Sequence, residues 1–183
     1  MKNYKNNLEL LSKNHVYSHE MEHDACGVGL IASTEGKKSR AVVEHGIEAL
    51  KAVWHRGAVD ADGKTGDGAG IHLEIPKDFF IEKIQVTGHD YDNSEICVGM
   101  IFLPRNDYEA QENARTIVES ELTKSNFNIY GWRQVPVNPK VLGEKANFTR
   151  PEITQVLFKY NDKSLKGKDL ERKLYESRRK IEK

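Results

Sequence analysis

The chain has 183 residues, in which 28 lysines and arginines balance 28 aspartates and glutamates. This length suffices for one domain with a hydrophobic core, and the balanced charge gives no electrostatic reason to expect a nucleic acid or a membrane as partner. Its two cysteines, Cys26 and Cys97, form neither a disulfide framework nor a zinc pattern, which fits a cytoplasmic location.

Residues 1–25 form a polar leader that lacks the apolar run of a secretory signal. The stretch DACGVGLIA, Asp24–Ala32, follows and sets Cys26 between the leader and an apolar segment. Cleavage after Ala25 would place a thiol and an α-amine on one residue, and such an amine titrates at about pH 8, so that it can act as the base for its own thiol. A buried core cysteine is the more common reason for a cysteine beside apolar residues, and this alternative stays open here.

The N-terminal half shows three predicted elements. Residues 27–32 form a short apolar run that predicts a buried strand. A helix is predicted next, with Ser39 as its N-cap and Gly57 beyond its end, because apolar residues recur there at spacings of three and four. Strict alternation of apolar residues over 71–75 predicts a half-buried strand that Pro76 ends.

The C-terminal half alternates strands and helices. Continuously apolar residues 96–103 predict a central strand that is covered on both faces. Asn106, with Glu109 three residues later, resembles a capping box before an amphipathic helix. Further predicted elements are an irregular or edge segment over 130–142, a strand over 153–160 and an exposed amphipathic helix from Leu165 onward.

Two polar blocks separate the first helix from the strand predicted at 71–75. The first is His55-Arg56-Gly57-Ala58, and the second is Thr65-Gly66-Asp67-Gly68-Ala69-Gly70. The second block lacks the Lys-Ser/Thr ending of a phosphate-binding P-loop and precedes a strand instead of a helix. A glycine-rich turn is therefore favoured over nucleotide binding.

Taken in order, the blocks DACGVGLIA, HRGA, ADGK, TGDGAG and IPKDFF resemble the N-terminus of the glutamate synthase large-subunit family. That region is a class II glutamine amidotransferase domain of the N-terminal nucleophile hydrolase type. The likeness extends from about Glu22 to the end of the chain. It continues through Cys97–Pro104, Tyr130–Arg133, Val141–Glu144 and Arg178–Lys183.

The resemblance implies an α+β fold, a partial αββα sandwich, in which residues 1–25 are a propeptide and residues 26–183 are the N-terminal part of the amidotransferase domain. Cys26 is then the nucleophile that attacks the side-chain amide of glutamine, with its own amine moving protons. Arg56 and Gly57 are expected to hold the new N-terminus. The alternative for Arg56 is a helix-end cation that the helix dipole favours.

The same resemblance places no cofactor in this chain, and it assigns FMN and an iron-sulfur cluster to a separate synthase domain of the whole enzyme. Expected partners are glutamine and a separately encoded remainder of glutamate synthase, with no nucleic acid and no membrane. The family blocks Arg-Phe-Ser-Thr and Asn-Gly-Glu do not occur in the sequence. We therefore expect an N-terminal fragment that is inactive alone, and the alternative is a non-catalytic vestigial or interaction fragment of a split gene.

Overall fold

The computed structural model describes residues 27–54, 57–66 and 68–183, together with positions 6, 10 and 13. It divides into two compact units. The first comprises Met1–Val59 and Asp67–Ile71, and the second comprises Asp60–Gly66 and His72–Lys183.

The main described element of the first unit is helix α1, Arg40–Ala52. Its N-cap is Ser39, whose hydroxyl oxygen accepts a hydrogen bond from the backbone N–H of Val42 at 3.4 Å. The cap satisfies one of the backbone donors that a helix start leaves without a partner. The predicted helix and its cap are thus confirmed, and the helix ends five residues before Gly57.

The two strands predicted in the N-terminal half are wrong. Residues 27–32 and 71–75 have no strand assignment, and their apolar side chains face solvent. Val28, for example, is 93% exposed and Leu30 is 90% exposed. A strand needs a neighbour for its backbone hydrogen bonds, and no such neighbour is paired with either segment among the described residues.

The second unit contains the sheet. Its elements are α2 (Lys77–Val86), β1 (Cys97–Leu103), α3 (Tyr108–Lys124), β2 (Phe127–Gln134), a 3-10 turn (Pro139–Val141), α4 (Glu144–Thr149), β3 (Glu152–Tyr160) and α5 (Gly167–Ile181). The three strands form one antiparallel sheet in the order β1-β3-β2. The last strand in sequence is therefore the central one.

Helices cover the sheet on both faces. On one face, α3 and α5 close a core around Phe127 and Val156, to which they contribute Val118, Leu122 and Leu170. On the other face, α2 closes a second core around Leu157 with Phe80 and Ile84. Helices on an antiparallel sheet confirm the α+β class; the described residues contain one sheet of the implied αββα sandwich.

Strand β1 forms as predicted but lies at the edge of the sheet, so the expectation of a central strand is wrong. It pairs with β3 on one side, as in the partners Cys97 and Phe158. The face of β1 that carries Met100 and Phe102 is also incompletely covered, because Met100 is 50% exposed and Phe102 is 63% exposed. A continuous apolar run indicates that both faces of a strand are apolar, but it does not indicate whether the strand lies at the centre or at the edge of its sheet.

Helix boundaries show two further differences. The N-cap of α3 is Asp107 and not Asn106, since the Asp107 carboxylate accepts from the N–H of Ala110 at 2.9 Å. Helix α5 is less exposed than predicted, because Leu170 and Ser177 are buried against the core. The expected edge segment is confirmed in part, since β2 is the other edge strand.

Candidate functional site

The three residues predicted to form the site are Cys26, Arg56 and Gly57, and the first two lie outside the described residues. Gly57 is exposed, and its N–H donates to the carbonyl of Trp54 at 3.1 Å, closing the turn that follows α1. A Cβ at this position would be 3.5 Å from the same carbonyl oxygen, an ordinary contact. The role given to Gly57 thus stays a prediction, as does its proximity to Cys26.

The chain that directly follows Cys26 is open to solvent. Residues 27–30 are exposed, and a Cβ added at Gly29 would meet no heavy atom within 4 Å. The residues that directly follow Cys26 are thus exposed, and Cys26 itself lies outside the described residues.

The second cysteine, Cys97, is a core thiol. It is 3% exposed in β1, and burial raises its pKa to about 12, with smaller contributions from the charges of Glu95 and Glu171. The thiolate is the reactive form of cysteine, and a pKa this high leaves almost none at neutral pH. Cys97 is therefore excluded as the nucleophile, and Cys26 is the only other cysteine of the sequence.

A tight polar turn in the second unit spans Asp60–Gly66. The carboxylate of Asp62 accepts from the backbone N–H of Lys64 at 2.9 Å and of Thr65 at 2.6 Å, and from the Thr65 hydroxyl at 2.5 Å. These hydrogen bonds, with that of the Thr65 hydroxyl the largest contribution, hold the pKa of Asp62 well below its ordinary value. The turn is thereby fixed around one ionised side chain.

The same turn contacts the start of α4. Lys145 Nζ donates to the Asp60 carboxylate oxygens at 2.8 and 2.9 Å, and the N–H of Ala146 points to Thr65 Oγ1 at 3.4 Å. Gly143 lies so close that a Cβ there would overlap Asp62 and Thr65. The structure thus brings together two blocks that carried the family resemblance separately, ADGK and Val141–Glu144.

Sequence reasoning missed the part played by Asp62. The signal was present, because the side chain of an aspartate in a polar segment commonly accepts hydrogen bonds from the backbone N–H groups two and three residues later and so closes a turn. The partner could not be found in the same way, since Gly143 lies about eighty residues further along the chain and shows no periodicity. The glycine is explained by the lack of space for a side chain.

A second polar cluster lies on the α2 face of the sheet. The Asp92 carboxylate accepts from Lys159 Nζ at 2.6 Å and from the Tyr130 hydroxyl at 3.1 Å, and Lys163 lies within ion-pair distance at 3.1 Å. The Lys159 hydrogen bond is the largest cause that lowers the pKa of Asp92, and burial raises the pKa of Tyr130. The cluster ties the loop before β1 to β2 and β3, which is a structural role.

The part of the chain that the structure describes contains neither a metal-binding cluster nor a membrane-spanning helix. Over those residues no three His, Cys, Asp or Glu side chains are grouped so that they could hold a metal ion. None of the helices described there is both long and apolar enough to cross a bilayer.

Comparison with known proteins identifies the family. The family profile described as "Glutamine amidotransferases class-II" matches residues 26–183. The chain belongs to the class II glutamine amidotransferases. The family resemblance noted from the sequence blocks is thereby confirmed, and this amidotransferase match begins at Cys26.

Similar proteins from bacteria and algae are glutamate synthases. The chain is 54% identical over 180 residues to the glutamate synthase [NADPH] large chain of Azospirillum brasilense, covering 98% of this amidotransferase sequence and 12% of that protein. It is 39% identical over 176 residues to the ferredoxin-dependent glutamate synthase of Pyropia yezoensis, covering 95% and 11% respectively. The chain thus spans about a tenth of the length of these relatives.

Proposed function

We propose that this chain carries the nucleophile of a glutaminase that supplies ammonia for glutamate synthesis, with Cys26 as its catalytic residue. The observation that carries the proposal is that the amidotransferase match begins at Cys26, while the other cysteine is a buried core thiol. Glutamine is the proposed substrate, and glutamate and ammonia are the products. The sequence similarity to glutamate synthases supports this choice of pathway.

The chemistry requires that residues 1–25 be removed as a propeptide, which leaves residues 26–183 as the mature part. The free α-amine of Cys26 then takes the thiol proton, and sulfur attacks the side-chain amide carbon of glutamine. The C–N bond breaks, and the leaving nitrogen takes the proton from the ammonium group and departs as ammonia. Water next attacks the thioester, the C–S bond breaks, glutamate is released and the thiol forms again.

Arg56 and Gly57 are proposed to hold the new N-terminus in this cycle. Gly57 follows α1 in an exposed turn, and Arg56 precedes it directly in sequence. An arginine donates several hydrogen bonds from a fixed plane, which suits the orientation of a carbonyl or carboxylate beside the nucleophile. The alternative role of Arg56, a cation at the end of a helix, would leave turnover unchanged when the residue is replaced.

We also propose that residues 26–183 by themselves do not turn over glutamine, and that they act in the cytoplasm together with the remaining parts of a glutamate synthase. The family blocks with the substrate-binding arginine and the oxyanion-hole asparagine are not among these residues. Loss of a single oxyanion donor costs about 10²- to 10³-fold in turnover. Exposed apolar side chains such as Val28 and Leu30 further support packing against other residues of a complete amidotransferase domain.

FMN and an iron-sulfur cluster are assigned to other parts of the whole enzyme. A cluster is generally held by several cysteine thiolates, and this chain has two cysteines, one of them buried in its core. The residues of this chain therefore do not fit an iron-sulfur cluster, and no step of the proposed reaction passes through either group.

Covalent labelling tests the proposal directly. The purified chain, mixed with the downstream polypeptide of a glutamate synthase, is treated with an electrophilic glutamine analogue and analysed by intact mass. We expect one label on a species that begins at Cys26, unchanged by Cys97→Ala and abolished by Cys26→Ala. Absence of labelling in the completed mixture would contradict the enzymatic function and favour a non-catalytic interaction fragment.

A further inference from the structure

The Asp60–Gly66 turn belongs to the second unit of the structure, whereas the residues on both sides of it in sequence belong to the first. The first unit includes the chain up to Val59 and resumes after the turn with Asp67–Ile71. Arg56 and Gly57, which are proposed to hold the new N-terminus, come shortly before the turn. They are therefore joined by a short stretch of chain to a turn whose partners lie far away in sequence.

Two contacts anchor this turn at the start of α4. The Asp60 carboxylate accepts hydrogen bonds from Lys145 Nζ at 2.8 and 2.9 Å, one to each oxygen. Gly143, the N-cap of α4, lies directly against Asp62 and Thr65. The Lys145 side chain is 66% exposed, and such exposed ion pairs contribute little to overall stability. The ion pair is therefore better suited to fixing the position of Asp60 than to holding the fold together.

Hydrogen bonds within the turn join its two ends. The N–H of Asp60 donates to the carbonyl of Thr65 at 2.7 Å, and the N–H of Gly63 donates to the carbonyl of Asp60 at 2.9 Å. The Asp62 carboxylate closes the middle of the turn through the N–H groups of Lys64 and Thr65. A contact that fixes Asp60 therefore fixes the whole turn, including the points at which the chain enters and leaves it.

Only a short length of chain separates the anchored turn from the proposed site residues. Gly57 lies three residues before Asp60, and Arg56 lies four residues before it. An extended chain spans at most about 3.6 Å per residue, so the Cα atoms of Gly57 and Arg56 lie within about 11 and 14 Å of the Asp60 Cα atom. A displacement of about 1 Å in a group that orients the reactants can lower turnover by about 10²-fold. A shift of the turn is therefore enough to disturb the orientation that Arg56 is proposed to provide.

We propose that Lys145 is a positioning residue of the glutaminase, which acts through Asp60 to fix the turn and, through the turn, the placement of Arg56 and Gly57. This inference rests on the proposed function, in which those two residues hold the N-terminus at Cys26. The expected effect falls on the reaction step, because the N-terminal amine moves protons while the amide bond breaks. Loss of the ion pair should therefore lower kcat and leave the KM for glutamine almost unchanged.

Glutamine hydrolysis by the chain, completed with the remaining parts of a glutamate synthase, tests the role of Lys145. We expect Lys145→Met, which keeps most of the side-chain length and removes the charge, to lower kcat about tenfold or more and to change KM less than about twofold. The exchanged pair Asp60→Lys/Lys145→Asp restores opposite charges at the contact. It should recover most of the lost kcat and most of the lost rate at which the electrophilic glutamine analogue labels Cys26.

The matched control is Lys124→Met. The Lys124 side chain is also 66% exposed, and its Nζ donates to the Glu121 carboxylate at 2.7 Å, so the same substitution removes a similar ion pair that lies within α3. Its kcat should equal that of the parent enzyme, and thermal unfolding should change little in either lysine variant. Equal kcat values for Lys145→Met and Lys124→Met, or an exchanged pair that folds as the parent does and recovers no activity, would overturn the positioning role. A parent enzyme that is not labelled at Cys26 would instead overturn the proposed function on which that role rests.

Discussion

Gly143 shows how one missing side chain fixes a contact between distant residues. The glycine lies against Asp62 and Thr65, and its φ of −67° is open to any residue, so the space alone requires glycine. We predict that Gly143→Ala lowers the free energy of unfolding by about 1 to 3 kcal/mol, because the turn must move away from α4. Urea denaturation measures the change.

The control for this substitution is Gly46→Ala in the middle of α1, where a Cβ would meet no atom within 4 Å. Alanine is the better helix former, and the expected effect is neutral or a gain of about 0.5 to 1 kcal/mol. If Gly143→Ala proved as stable as the parent chain, the close contact with the Asp60–Gly66 turn would be wrong.

The proposed site residues show the limit of sequence reasoning at this scale. A single cysteine after a polar leader gave only a weak signal, and several blocks in order were needed to identify the family. Burial then identified Cys97 as a core thiol, which no local pattern around it could do, because a buried thiol and a reactive one both occur beside apolar residues.

At the level of the element, the start of α3 can be tested by two neighbouring substitutions. Asp107 caps the helix through the N–H of Ala110, whereas the sequence pattern favoured Asn106. We predict that Asp107→Ala costs about 1 kcal/mol of stability and that Asn106→Ala costs much less. Thermal unfolding of both variants decides between them, and a larger loss for Asn106→Ala would support the capping box instead.

The bulge in β2 gives a second test of an element. The register shifts between Ile129 and Gly131, and Gly131 has a φ of +148°, where its missing Cβ would be 2.8 Å from Thr87 Cγ2. Gly131→Ala should cost about 2 kcal/mol or more, from backbone strain and from the clash.

A second substitution separates these two causes. Thr87→Ser removes Cγ2 and keeps the hydroxyl that donates to the carbonyl of Ile84 at 2.7 Å. The double variant Thr87→Ser/Gly131→Ala should therefore recover part of the stability in chemical denaturation and retain the cost of the backbone conformation. Full recovery of stability would show that backbone strain at residue 131 is negligible. No recovery would show that the clash with Thr87 Cγ2 is negligible.

Element types were more predictable than their neighbours in space. Apolar patterning located all four of α1, α3, β1 and β3: the two helices by the period at which burial of one face repeats, and β1 by a continuous apolar run. It misjudged residues 27–32 and 71–75, whose apolar residues suit a strand but have no pairing partner among the described residues. Strand order is set by distant contacts, so the edge position of β1 could not be seen locally.

For the whole molecule, the Asp92 cluster predicts a pH dependence of stability. The pKa of Asp92 in the folded protein lies below the ordinary value of 3.8. The contribution of Asp92 to the free energy of unfolding is therefore present above pH 3.8 and is lost as the pH falls toward the folded pKa. We predict that Asp92→Asn lowers the free energy of unfolding by about 1 to 2 kcal/mol at neutral pH, and by less at about pH 3. The lower value is favoured because the Asp92–Lys159 pair is partly exposed to solvent. Urea midpoints at the two pH values provide the comparison.

The matched control is Asp162→Asn. This carboxylate is also ionised more easily than usual, but it bonds to the adjacent Ser164 and lies on the surface. We expect almost no change in the urea midpoint, as is usual for surface substitutions. An equally large loss for both variants would show that the Asp92 cluster has no special weight.

The position of β3 between β1 and β2 also determines when the sheet can assemble during synthesis. The two outer strands are made first, yet neither is hydrogen-bonded to the other. The ladders of this sheet, as the described residues form it, therefore cannot assemble until residues 152–160 have left the ribosome, and β1 waits about fifty residues for its partner. Until then its apolar segment is available to chaperones and to other nascent chains, so that slowing translation before β3 should increase aggregation of the newly made protein.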